Sequence, residues 1–337
     1  MINLRYHIVS ITAVFLALGI GLTLGSTFLD RVTVDNLNNQ LSDVSAEVSE
    51  TRRDIEDLRG QVDRANERDA ELAAELPEQL LAGQLDGVPL LVIATRGSDE
   101  NLVNQTRATL ASAGAQVAGT WWLTERWALT ERSDTEDLAD VLDLTTGDAD
   151  RLRRNSAIRL ADLMASATQP APPEAVDPPL LPEEPALIAA FVQAGYIDYE
   201  PMPGAPDPRV LLPPTSVRYV VVSGLAPAAG AAVFAQGLAE ELASAGPPAA
   251  VAVQGATPLP DGERGPVSED ARRTAFVGPL REGEVTKDKV STIDDLDLAA
   301  GRAALVLAVA DLGEGRVGHY GVAPGASRLL PPPADPT

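Results

Sequence analysis

The chain has 337 residues, of which 45% are hydrophobic and only 4% aromatic, so Ala, Val and Leu must supply most of any core. Lys and Arg number 26 against 49 Asp and Glu, a net charge of −23, which argues against a phosphate backbone as partner and hence against nucleic-acid binding. With no cysteine, disulfide frameworks and thiolate metal sites are excluded.

Residues 1–5 form a short tip carrying Arg5, and residues 6–29 hold no full charge when His7 is neutral. Roughly 20 apolar residues at about 1.5 Å each cross a hydrocarbon layer of about 30 Å. The run exceeds the ~7–15 residues of a signal peptide's apolar region, and helical patterning resumes directly after Asp30-Arg31, so an uncleaved transmembrane helix is expected. Arg5 before the span and the acidic flank beyond it place the N-terminus in the cytoplasm and the bulk outside the cytoplasmic membrane.

Residues 32–76 repeat apolar positions at gaps of three and four. Val34, Leu41, Val48, Ile55, Val62 and Leu76 fall at a, while Leu37, Val44, Leu58 and Leu72 fall at d, with Asp69 breaking the a series. β-Branched residues at a and leucines at d favour a parallel two-stranded coil. Glu47 and Asp54 at g face Arg52 and Arg59 at e of the other chain, which supports an in-register homodimer through this stalk. The same pattern also suits one amphipathic helix laid on its own head.

Pro77 and Gly83–Gly87 end the stalk, and an α/β domain over 84–323 follows. Residues 88–94 read as a buried strand, 100–113 as a helix capped by Asp99 and stopped at Gly114, and 116–123 as the next strand, which together form a βαβ unit of a mainly parallel sheet. A helical region over 135–167 leads into 168–185, which contains seven prolines, and a short helix over 185–194 follows. Strand 217–223, helix 227–245 and strand 249–253 make a second βαβ unit; strand 289–293, helix 297–310 and strand 317–320 complete the domain. The Pro-rich stretches 168–185 and 201–214 read as excursions within one domain, and 324–337 reads as a disordered tail.

Catalytic groups are scarce. The histidines are His7, at the membrane edge, and His319; no H-E-x-x-H, G-x-S-x-G or phosphate-loop motif occurs. A copper site has only Met1, Met164, Met202 and these histidines to draw on, all far apart in sequence. No catalytic, cofactor-binding or metal-ligating residue is assigned, and the chain reads as non-enzymatic. Trp121 and Trp122, adjacent on a strand, point to opposite faces, which leaves one ring in the core and the other as a candidate partner surface. Ser291, Thr292, Asp294 and Asp295 can cap the helix that follows them, with recognition as a second role.

Met1-Ile2-Asn3-Leu4-Arg5-Tyr6-His7-Ile8-Val9-Ser10 running on through Ala17–Gly21, Val290–Asp295 followed by Gly301-Arg302, and Gly318–Gly321 followed by Pro324-Gly325-Ala326 together resemble the MctB family of actinobacterial envelope proteins. The resemblance implies copper transport through outer-membrane pores. Through SteB-like relatives it also implies cell separation with a SteA-like membrane or division partner. A β-barrel pore needs about ten-residue alternating strands and aromatic girdles, whereas this chain offers a helix, heptads and βαβ units. The architecture therefore favours an envelope scaffold, with oligomeric copper transport or homeostasis as the alternative and copper as a partner by resemblance alone.

Overall fold

The structure, a computed structural model, describes residues 5–24, 48, 51–56, 60, 81–145, 147–170, 184–203, 211–213, 215–224, 229–255 and 276–332. The chain divides into two units, Met1–Arg68 and Asp69–Thr337. The first contains α1, Arg5–Leu24, a 20-residue helix long and apolar enough to cross a membrane. Its large side chains, from Tyr6 through Leu24, are exposed, as suits a helix whose solvent is lipid. Thr12 and Thr23 turn their hydroxyls back onto the carbonyls of Ile8 and Gly19, so neither leaves an unmet polar group on the surface.

Of the heptad positions, Val48 and Ile55 are described, one heptad apart and exposed by 46% and 43%. Residues 51–56, including Arg52 and Asp54, are helical. Val34, Leu37, Leu41, Val44, Leu58, Val62, Leu72, Leu76, Glu47 and Arg59 lie outside the described residues.

The second unit is built on a seven-stranded sheet. Its strands are β1 Pro89–Thr95, β2 Gln116–Leu123, β3 Ile197–Pro201, β4 Arg218–Gly224, β5 Ala250–Gly255, β6 Val290–Ile293 and β7 His319–Tyr320. The order is β3-β2-β1-β4-β5-β6-β7, parallel throughout except for β3, which runs antiparallel to β2. The order reverses between β1 and β4, the switch point of a doubly wound α/β fold. The helices are α2 Glu100–Ser112, α3 Arg132–Val141, α4 Ala149–Ala167, α5 Glu184–Gln193, α6 Ala229–Ala245, α7 Val277–Glu282 and α8 Ala299–Leu312.

Because helices cover both faces, β1, β4 and β5 are apolar on both and read as continuous hydrophobic runs. Leu91, Ile93, Trp121 and Val221 look towards α3–α7, where Trp127, Phe191 and Phe234 fill the layer. Leu90, Val92, Trp122 and Val253 look towards α2 and α8. Asp99 caps α2 by accepting the Asn101 N–H at 2.9 Å, as the sequence predicts. Gly114 then turns the chain with φ +96°, in close approach to Asp86 that leaves no room for a Cβ.

The helical region expected over 135–167 is present as two helices, α3 and α4, parted by a turn in which Asp143 takes φ +53°. Other parts of the sequence reading are extended or corrected. Strand β3 and helix α7 were not expected; β3 is short, with alternating exposed acids, and α7 spans six residues around Gly278-Pro279. Both tryptophans are buried, so the freer ring does not exist: on a sheet covered twice, opposite faces are both interior. Finally, residues 324–332, assigned to a disordered tail, fold back on β7, with a bridge between Tyr320 and Arg328 and the Ser327 N–H donating to the His319 carbonyl at 2.8 Å.

Candidate functional site

The parallel strands end in polar residues. Thr95, Ser223 and Gln254 lie at the ends of β1, β4 and β5, the last two in register, and Asp294 follows directly on β6 to extend the row. Thr95 shares hydrogen bonds with Ser98 at 2.8 Å and Ser223 at 3.2 Å, and Gln254 Oε1 accepts the Val277 N–H at 3.2 Å. At the β6 end of this row, the conspicuous sequence stretches 290–295, 318–321 and 324–326 converge on one network around Arg281 of α7.

Arg281 forms a 2.8 Å ion pair with Asp294, the two side chains being 2% and 1% exposed. It also donates to Thr292 Oγ1 at 2.8 Å, the Tyr320 carbonyl at 2.8 Å and the Pro324 carbonyl at 3.2 Å. Asp294 accepts the Val322 N–H at 2.8 Å and the Ala323 N–H at 3.1 Å, holding the turn that follows β7. The pair satisfies the demand that buried charges be both paired and hydrogen-bonded. Gly321, at φ +124°, passes so close to the Asp294 carboxylate that a side chain there would collide with it.

Two contacts hold His319. The Lys287 carbonyl can only accept, so Nε2 carries a hydrogen and donates to it at 3.0 Å, while Nδ1 lies 2.9 Å from the Thr292 hydroxyl, which also accepts from Arg281. Burial and then the Arg281 charge press the imidazole's pKa below the usual histidine value, against the opposing pull of the Lys287 carbonyl and Asp288. With both nitrogens engaged, it has no position free for a nucleophile or a metal.

Asp295 stands apart from this order. It is 3% exposed, and neither carboxylate oxygen has a hydrogen-bond partner. Burial first, then the neighbouring Asp294, push its pKa up to about 6.

Ser291, Thr292, Asp294 and Asp295 therefore neither cap α8 nor form an outward surface. The cap position is Leu298, whose side chain cannot accept, Ser291 and Thr292 are buried, and Asp294 serves Arg281. Arg281 itself carried no motif; the only signal was a lone cation after an apolar run, Phe276–Leu280.

A second cluster surrounds Trp122, which donates to Glu200 at 2.9 Å and lies 4.5 Å under the Arg96 guanidinium. Glu200 also pairs with the buried Arg107 at 2.6 Å, and this bond, against a desolvation cost, holds its carboxyl below the usual range. Asp198 takes Arg96. The acids of the edge strand β3 thus fasten it to β1 and α2. Trp121 donates instead to the Leu211 carbonyl at 2.9 Å. Among the described residues, no group of three His, Asp or Glu side chains is placed to hold a metal ion.

A family model described as "Copper transport outer membrane protein, MctB" matches residues 1–331. Proteins named "Copper transporter MctB" from Mycobacterium tuberculosis (strain ATCC 25618 / H37Rv) and Mycobacterium bovis are 27% identical over 336 residues, covering 97% of this chain and 98% of theirs. The protein of that name from Mycobacterium leprae is 27% identical over 342 residues, covering 98% of this chain and all of its own.

Proposed function

The chain belongs to the MctB family, and from that membership we propose that it serves copper transport or copper homeostasis in the cell envelope, as a non-enzymatic protein anchored by α1. The observation that carries this reading is the length of the match: helix, heptad segment and α/β unit align with curated copper transporters as one whole, not as a shared fold alone. One helix offers no lumen, so transport requires several copies or a partner. The heptads supply a means, pairing chains in parallel through Val34, Leu37, Leu41, Val44, Val48, Ile55, Leu58, Val62, Leu72 and Leu76, and the exposure of Val48 and Ile55 in a single chain agrees with it. Arg5 orients the anchor with its N-terminus in the cytoplasm and the α/β unit outside.

The second reading is the envelope scaffold, in which a dimeric stalk presents the α/β unit to a membrane or division partner. It is favoured by the absence, among the described residues, of a clustered metal-ligand set. A deletion strain distinguishes the two. Raised cell-associated copper and copper sensitivity, with normal septation in copper-depleted medium, support the copper role. Chained cells without copper stress and with ordinary copper content would overturn it in favour of the scaffold.

A further inference from the structure

We propose that Asp295 is a proton-binding switch: the turn from β6 into α8 closes over the neutral carboxyl, and ionisation of that carboxyl releases the turn. The geometry carries the argument. Two adjacent carboxylates leave the end of β6 and meet opposite fates. Asp294 receives Arg281 and two backbone N–H groups, whereas Asp295, 3% exposed, receives none. A carboxylate buried without donors is among the most costly groups a fold can hold, and the neutral acid removes most of that cost.

The packing around Asp295 is closed rather than adjustable. The Leu298 N–H bonds back to the Asp295 carbonyl at 2.8 Å, and the Leu296 N–H bonds to the Gln254 carbonyl at 3.3 Å. Gly301 lies so near the Asp295 backbone and carboxylate that any Cβ would collide. The charged groups facing it offer little relief. Asp294 and Asp297 on its own turn oppose its ionisation. The Arg281 guanidinium favours it, but is already committed to Asp294, Thr292 and two carbonyls. Arg302 of α8 donates to the Asp297 carbonyl at 2.9 Å, β5 contributes only the neutral Gln254, and His319 of β7 is engaged on both nitrogens.

The test is amide hydrogen exchange of the full chain in detergent at pH 5 and pH 8, corrected for intrinsic exchange. With the folded-state pKa raised from 3.8 to about 6, linkage predicts about a tenfold loss of protection across 294–301 on going to pH 8. Asp295→Asn should abolish the loss and His319→Gln should keep it. Protection independent of pH in the unmodified chain, or a loss that persists in Asp295→Asn, would overturn the proposal. Infrared titration of the unmodified chain carrying 13C-labelled aspartate needs no variant to fold. A protonated carboxyl band that disappears near pH 6 is expected, and its absence at pH 5 would equally sink the switch.

Discussion

Replacing Arg281 with methionine keeps the volume and removes the charge from a buried cation with four partners. Asp294 would be left 1% exposed with only backbone N–H groups for company, while Thr292, Tyr320 and Pro324 would each lose a donor. Breaking one side of a buried pair typically costs about 3–5 kcal/mol, and the lost donors overlap with that figure instead of adding to it. At about 2–4 °C per kcal/mol for a unit of this size, the melting temperature should fall by roughly 6–20 °C. Intrinsic fluorescence suits the measurement, because Trp121, Trp122 and Trp127 are the only tryptophans and all lie in this unit, so the full chain can be melted in detergent without interference from α1. Asp294→Asn added to Arg281→Met should restore part of the loss, because the amide oxygen can still accept from Val322 and Ala323. A single-variant loss below about 1 kcal/mol, or strictly additive losses in the pair, would refute the account of the network as one coupled unit.

His319 should make the unit less stable in acid. Its folded pKa is lowered, so its stabilising contribution is complete above the unfolded value of 6.5 and is lost as pH falls below it. His319→Gln should flatten the melting temperature across that acid window, and an unchanged slope would contradict the lowered pKa of His319. Trp122→Phe removes the bond to Glu200 and weakens the Arg96 contact; a loss of about 1–2 kcal/mol in denaturant titration is expected. The chain has no native cysteine, so Val48→Cys and Ile55→Cys report pairing directly. Oxidation should trap each as a disulfide-linked dimer at its own position, and monomers at both would remove the parallel stalk.

The strands and helices of the α/β unit were legible because their signals are local. A continuous apolar run such as Leu90–Ala94 has few readings other than a strand covered on both faces, and Asp99 and Gly114 bracket α2 by chemistry that needs no tertiary contact. Strand β3 was not legible. Its Asp198 and Glu200 are exposed, and besides its ladder to β2 it is tied down by arginines, Arg96 and Arg107, about a hundred residues earlier. Trp122 misled for a related reason: strand alternation fixes which face a side chain takes, but not whether that face is covered.

The polar stretch after β6 was visible in sequence, yet its role was not, because a Ser-Thr-x-Asp-Asp run before a helix is also what a cap looks like. Arg281 decides between the two readings by drawing Thr292 and Asp294 inward, and α8 begins at Ala299 behind Leu298, whose side chain makes no cap. Asp295 is the residue left over. With its neighbour taking Arg281, it remains the one carboxylate among the described residues that is buried with no hydrogen-bond partner beyond its own backbone. A sequence can show two adjacent acids, but only the fold gives one of them a cation and buries the other without one.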